Sequence, residues 1–128
     1  MEFRVSTADL GDGVASVIVG GELDLSTAPE LKEVLRGVID GGARFVLVDL
    51  SSATFIDSTT LGVLMGAVKR VRPAGGEIAI ACDDRNIRKI FEITLLDRIF
   101  GVFDSPGEGA AHLRDASRTD RSGLTPEG

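Results

Sequence analysis

Three consecutive hydroxyl side chains, Ser58, Thr59 and Thr60, follow Asp57 at the point where an apolar run passes into a helical pattern. A serine or threonine hydroxyl can accept a phosphoryl group. A helix N-terminus favours the product, because free backbone N–H groups and the positive end of the helix dipole lie there. A phosphoserine would add a charge of about −1.5 to −2. The structural alternative is that Asp57 or Ser58 caps the helix by accepting a backbone hydrogen bond. The residues alone leave both interpretations open.

Carboxylates near one edge of the predicted sheet, Asp24, Asp49 and Asp57, form a second group of candidates. They could ligate a metal ion or provide a general base, but loop capping and solvation are the favoured interpretation. The chain has a single cysteine, Cys82, and a single histidine, His112. We expect His112 to be exposed. No nucleotide-binding glycine loop follows a strand. We therefore expect no cofactor, no metal and no enzymatic activity, with an enzyme that uses one of these carboxylates as the weaker alternative.

Apolar periodicity and turn residues predict the elements that carry these side chains. Residues 3–6 and 14–19 read as two strands joined by the glycine turn 11–13, which predicts an antiparallel hairpin. The first helix is predicted to begin at Thr27, with Glu30 completing a capping box.

The continuous apolar run 45–50 predicts a central strand that is covered on both faces. A loop over residues 51–57 is then expected to lead to the helix that begins near Ser58. Gly62 and Gly66 stand four residues apart in that helix, where the missing Cβ atoms would let another backbone approach closely. The remaining predicted elements are a strand at 78–82, a helix capped by Asp83 or Asp84, a strand at 99–103 and a short helix at 107–113.

The predicted element order is β-β-α-β-α-β-α-β-α. This order indicates an α/β fold in which an N-terminal hairpin precedes alternating β/α units, with a mixed, largely parallel sheet flanked by helices. We expect one domain over residues 1–115 and a disordered polar tail over residues 116–128. The tail is expected because glycine, proline, serine and threonine dominate the sequence from Ser117 onward.

The net charge of −6 limits the classes of partner that the chain can bind. Nucleic acids and anionic membrane surfaces are disfavoured, because binding to either depends on clustered lysine and arginine. The apolar runs are too short to cross a bilayer and no signal-peptide pattern is present, so we expect a cytoplasmic protein. A protein partner with a basic surface is compatible with this charge, and we expect the chain to be a monomer or a weak dimer.

Several segments, in order along the chain, resemble the STAS family and, within it, the bacterial anti-sigma factor antagonists. The matching segments are residues 20–24, 26–31, 48–50, 55–62, 75–77 and 87–96, within residues 3–115. The resemblance implies the STAS fold and phosphorylation of Ser58 by a partner that is both anti-sigma factor and serine kinase. It implies that the unphosphorylated antagonist binds this partner and frees a sigma factor, and that a phosphatase resets the switch. ATP and magnesium would belong to the kinase, so no cofactor is implied for this chain.

The resemblance also implies a partner-binding surface made of Asp24, Asp57, Ser58, Thr59 and Thr60. The family motif has glycine where this chain has Thr60, which could restrict the approach of the kinase or offer another acceptor. Thr59 is the second choice of acceptor. The alternative function is a STAS scaffold or regulator that acts without phosphorylation in a stress-signalling or transporter complex.

Overall fold

The computed structural model describes residues 2–123, and it describes side chains for residues 2–119. Within these residues one five-stranded sheet contains Arg4–Gly11 (β1), Val14–Leu23 (β2), Phe45–Ile56 (β3), Glu77–Ala81 (β4) and Gly101–Phe103 (β5). The α-helices of this range are Ala28–Asp40 (α1), Ser58–Val71 (α2), Arg85–Ile93 (α3) and Pro106–Gly123 (α4). The strands lie in chain order, with β1 antiparallel to β2 and the other pairs parallel. The predicted α/β fold and its mixed sheet are confirmed.

Helices cover both faces of the sheet. Successive parallel strands are neighbours, and right-handed connections between them put α1, α2 and α3 on the same face. The main core forms there, where Leu35, Leu64 and Phe91 pack with alternate side chains of the strands. α4 follows the last strand and packs on the opposite face, where Leu113 joins a second cluster with Phe45. The sheet therefore lies between two helical layers, as predicted.

The central strand β3 is longer than predicted. A loop was expected over residues 51–57, but β3 continues to Ile56 because β2 continues to Leu23 and the two ends pair. The pairing is irregular around Gly21, whose φ is +89° and where a Cβ atom would lie 2.3 Å from the carbonyl oxygen of Glu2. Only glycine fits this conformation and this contact. The polar composition of residues 51–54 concealed the strand, which depends on its partner for stability.

The C-terminal helix is also longer than predicted. The expected short helix at 107–113 is replaced by α4, which runs from Pro106 to Gly123. Its Ser117 is 1% exposed and donates a hydrogen bond to the carbonyl oxygen of Asp12 at 2.6 Å. The helix α4 therefore occupies residues 116–123 of the segment where a disordered tail was expected, and the last part of that segment, residues 124–128, lies outside the described residues. None of the helices in the described part of the chain has the length and apolar character needed to cross a bilayer.

Candidate functional site

The predicted acceptor lies where the parallel strands β2 and β3 end side by side. The backbone N–H of Asp57 donates to the carbonyl oxygen of Leu23 at 3.1 Å, so the last residue of β2 is bonded to the cap of α2. Asp24 directly follows Leu23, and Ser58 directly follows Asp57. Parallel pairing therefore brings the segment after β2 and the segment after β3 to one edge of the sheet. The sequence placed these residues on one surface, and the backbone bond connects the two segments.

Asp57 caps α2. Its backbone is extended, with φ −120° and ψ 179°, and its Oδ1 accepts a hydrogen bond from the backbone N–H of Thr60 at 3.0 Å. The carbonyl of Asp57 accepts the N–H of Leu61 at 3.1 Å, which begins the helical ladder. Of the two caps that the sequence allowed, Asp57 is the one that forms. The carboxylate also lies at the positive end of the helix dipole, which stabilises its charge.

Ser58 and Thr59 occupy the first turn of α2, and both are exposed. Their backbone N–H groups have no hydrogen-bond partner among the described residues. The first N–H groups of a helix have no acceptor within the helix, and here the cap satisfies only the one on Thr60. An anionic group on the Ser58 oxygen would therefore lie close to free donors and to the positive end of a helix.

Asp24 organises the turn that leads into α1. Its Oδ1 accepts hydrogen bonds from the Ser26 hydroxyl at 2.7 Å, the Ser26 N–H at 3.0 Å and the Thr27 N–H at 3.2 Å. The Ser26 hydroxyl is the main reason why the pKa of the Asp24 carboxyl lies below its ordinary value of 3.8. The predicted capping box of Thr27 and Glu30 is absent, because the Thr27 hydroxyl instead donates to the carbonyl oxygen of Glu22 at 3.0 Å.

Two exposed apolar side chains flank this edge, and neither was predicted from the sequence to contact a partner. Leu25, next to Asp24, is 72% exposed, and Phe55, three residues before Ser58, is 49% exposed. Exposed large apolar residues are frequent at surfaces that bind other proteins. The sequence indicated these two residues only weakly. Leu25 stands alone among turn residues, and Phe55 follows the polar residues 51–54, whose composition favours a loop.

The other candidate residues lie away from this edge or have structural partners. Asp49 lies within β3, where its carboxylate accepts the N–H of Ser51 at 2.9 Å. His112 was expected to be a solvated surface residue, but its Nε2 lies 2.5 Å from Glu77 Oε2 and its ring packs 5.0 Å from that of Phe103. This histidine therefore links α4 to the sheet. Across the described residues, the acidic, histidine and cysteine side chains form no group of three that could hold a metal ion.

Known proteins resemble this chain in sequence and in fold. Residues 8–109 match the STAS domain. The anti-sigma-B factor antagonist of Staphylococcus aureus is 38% identical over 91 residues, which cover 71% of this chain and 84% of that protein. The crystal structure of an anti-sigma factor antagonist from Mycobacterium paratuberculosis is 25% identical and superposes with a TM-score of 0.80, over 88% of this chain and 95% of the other. The chain belongs to the STAS domain family, within the anti-sigma factor antagonists.

The STAS fold is also found in a more distant relative that carries a phosphate. The phosphorylated form of the Bacillus cell fate determinant SpoIIAA superposes with a TM-score of 0.66 over 87% of this chain and 97% of the other, at 17% identity. This likeness concerns the fold alone.

The side chain of Thr60 is buried inside this STAS domain. The residue is 0% exposed, and its hydroxyl donates to Asp57 Oδ1 at 3.3 Å. The resemblance implied that Thr60 contacts a partner, and its side chain could crowd a kinase or accept phosphate. In this conformation the side chain is buried and its hydroxyl is engaged. The accessible hydroxyls of this helix start are those of Ser58 and Thr59.

Proposed function

We propose that this STAS domain binds an anti-sigma factor with serine kinase activity when Ser58 is unphosphorylated, and that phosphorylation of Ser58 releases it. Binding of the antagonist frees a sigma factor, and a phosphatase restores the binding form. The supporting observation is the exposed Ser58 at a capped helix N-terminus beside the Asp24 turn. We further propose that the protein acts in the cytoplasm and does so as a monomer or weak dimer.

The proposed interface combines charge with apolar area. Asp24, Asp57, Ser58 and Thr59 supply the polar contacts, and the exposed Leu25 supplies apolar surface that a partner can cover. Burial of an apolar side chain at an interface contributes about 25 cal/mol for each Å² removed from water. A basic partner surface would complement the two carboxylates, in agreement with the net charge of −6.

Phosphorylation acts in this proposal through charge and leaves the fold unchanged. Adding about 1.5 charges roughly 6 Å from a partner carboxylate costs about 4 kcal/mol at an effective dielectric constant near 20. Salt would reduce this cost by roughly half. Since about 1.4 kcal/mol corresponds to a tenfold change in affinity, the affinity is expected to fall by about one to three orders of magnitude.

Mass spectrometry of the intact protein, with mapping of the modified residue, tests the proposal. The protein is incubated with ATP, magnesium and each candidate anti-sigma kinase of its own organism. We expect one phosphate on Ser58 in the native sequence and none in Ser58→Ala. Thr59→Ala is the matched control, because it removes the neighbouring exposed hydroxyl and should still be phosphorylated.

The alternative outcomes lead to different conclusions. A phosphate on Thr59 would keep the function and correct the acceptor. The absence of phosphate with every candidate kinase would contradict the switch and favour a scaffold or regulator role in a stress-signalling or transporter complex.

A further inference from the structure

A groove between α1 and α2 begins beside the proposed acceptor and runs away from it. Its volume is about 340 Å³, and Thr59 lines one end while Arg70 lines the other. Its apolar walls are Leu35, Ile39, Val63 and Ala67. Thr59 and Arg70 are eleven positions apart on α2, so the groove is roughly 16 Å long at 1.5 Å per residue, or about three helical turns. The groove therefore has the length and lining for a short amphipathic helix.

Gly62 and Gly66 expose the backbone of α2 to this groove. Both glycines are exposed, and a Cβ atom built on either would have no heavy atom within 4 Å. Within the described residues no other backbone approaches these two glycines, so the close approach that their missing Cβ atoms allow is not made inside this chain. Glycine inside a helix lowers its stability relative to alanine. The two glycines leave open space on α2 that an approaching helix could fill.

The charges around the groove are predominantly basic, in contrast to the acidic chain as a whole. Lys32, Arg36 and Arg70 line it. Within the described residues Lys32 has no salt-bridge partner, while Arg36 and Arg70 form exposed pairs with Glu33 at 3.0 Å and Asp40 at 2.5 Å. Exposed pairs of this kind are weak and can exchange partners. Acidic side chains on a docked helix could therefore bind to this rim.

We propose that an amphipathic helix of the anti-sigma factor, with an apolar stripe and acidic flanks, lies in this groove. The proposal rests on the proposed function and names a second contact of the same partner. The apolar stripe packs on Val63 and Leu35, the helix backbone approaches Gly62 and Gly66, and the acidic flanks face Lys32 and Arg36.

The two contacts differ in charge. The Ser58 end carries the carboxylates of Asp24 and Asp57, whereas Lys32, Arg36 and Arg70 line the groove, with Arg70 paired to Asp40. A partner therefore needs a basic surface for the first contact and an acidic surface for the second. Phosphorylation changes only the Ser58 end, so the groove contact remains and the phosphorylated form keeps residual affinity.

Filling the groove tests this proposal. Gly66→Leu adds a side chain where the structure has open space, and Gly37→Leu makes the same change at an open position of α1 outside the groove. Affinity for the anti-sigma factor is measured by titration calorimetry, with each change made in Ser58→Ala and in Ser58→Asp. We expect Gly66→Leu to lower the affinity at least tenfold in both backgrounds and Gly37→Leu to leave it unchanged.

Charge reversal and a smaller substitution provide independent checks. Lys32→Glu should lower the affinity about three- to tenfold, and replacing an acidic residue of the partner helix by lysine should restore part of it. Circular dichroism verifies the fold of each variant, and Gly66→Ala replaces Gly66→Leu if the larger side chain prevents folding. Gly66→Ala is expected to weaken binding several-fold while it raises the melting temperature.

The results separate this proposal from the proposed function. Native affinity in Gly66→Leu, together with weak binding of Ser58→Asp, would overturn the groove contact and leave the phosphorylation switch intact. Weak binding of Gly66→Leu with equal affinities of Ser58→Ala and Ser58→Asp would support the groove and contradict the switch. If no anti-sigma factor binds Ser58→Ala, both proposals are wrong.

Discussion

The backbone N–H of Asp57 donates to the carbonyl oxygen of Leu23 across 3.1 Å, and this contact joins the last residue of β2 to the cap of α2. Asp24 follows Leu23 and Ser58 follows Asp57, so the bond couples the two segments that supply the proposed binding surface. A substitution in either segment can therefore alter the position of the other. Effects of such a substitution on partner binding are therefore separated from effects on this local structure by measuring stability as well as affinity.

Ser58→Asp should bind the anti-sigma factor more weakly than Ser58→Ala, because it adds a negative charge beside Asp57. Aspartate carries one charge where phosphoserine carries about −1.5 to −2, so we expect a loss of about tenfold in affinity, smaller than that caused by the phosphate. Calorimetric titration measures the difference, and Ser6→Asp, at an exposed position of β1, is the control for added charge. Equal affinities of the two Ser58 variants would argue against a charge switch.

Leu25→Ser should weaken partner binding without lowering stability. Leu25 is 72% exposed, so its replacement removes little buried area from the free protein but removes apolar area from the proposed interface. We expect an affinity loss of about three- to thirtyfold and an unchanged melting temperature. Ile93→Ser is the matched control, because Ile93 is 71% exposed on α3. The interpretation fails if the two variants bind the partner equally well.

Thr60→Ala should destabilise the domain and leave phosphorylation of Ser58 possible. The change removes the hydroxyl that donates to Asp57 and a methyl group that is fully buried. We expect the free energy of unfolding to fall by about 1–2 kcal/mol. Thermal or urea unfolding measures the loss, and Thr60→Ser, which keeps the hydroxyl, should lose less. Phosphate on residue 60 of the folded native protein would contradict its buried position.

Asp24 should make stability depend on pH in the acidic range. Its pKa is lowered in the folded state, chiefly by the Ser26 hydroxyl, so the unfolded chain binds more protons between the folded pKa and the ordinary value of 3.8. The resulting stabilisation is fully present above the ordinary value and is lost as the pH falls through the folded pKa. Melting temperatures between pH 7 and pH 3 should therefore converge for the native protein and Asp24→Asn at the acidic end.

Ser26→Ala provides the control for this pH dependence. It removes the main hydrogen bond that lowers the pKa of Asp24, so the carboxyl should titrate closer to 3.8. Nuclear magnetic resonance of the carboxyl carbon measures this directly. A titration of Asp24 that does not change in Ser26→Ala would show that another group controls it.

Deletion of residues 117–128 should lower stability more than deletion of residues 124–128 does. The longer deletion removes Ser117, which is buried and bonded to the carbonyl oxygen of Asp12 in the turn of the β1–β2 hairpin. Loss of this hydrogen bond is expected to reduce the free energy of unfolding by about 1 kcal/mol or more. Urea unfolding compares the two deletions, and equal midpoints would mean that the end of α4 contributes nothing to stability.

The sequence does not predict which of the three hydroxyl side chains, Ser58, Thr59 and Thr60, are exposed and which is buried. The apolar run, the aspartate and the helical stripe after it predicted a helix start at residues 57–58, and α2 begins there. The burial of Thr60 and the exposure of Ser58 and Thr59 depend on how the first turn of α2 is rotated against the sheet. That rotation is set by the packing of the whole helix, so it cannot be predicted from three neighbouring side chains that are chemically similar.

The sequence by itself determined the element order, the hairpin turn and a helix start at residues 57–58, because periodicity, glycine turns and capping chemistry act over a few neighbouring residues. The tertiary structure alone decided the extension of β3 to Ile56, the exposure of Leu25 and the burial of Ser117. Two of these depend on a contact with residues distant in sequence, because β3 is extended by pairing with β2 and Ser117 is bonded to the hairpin turn at Asp12. Local patterns carry no information about such contacts, since the same polar residues are equally compatible with a loop or a tail until a partner segment binds them.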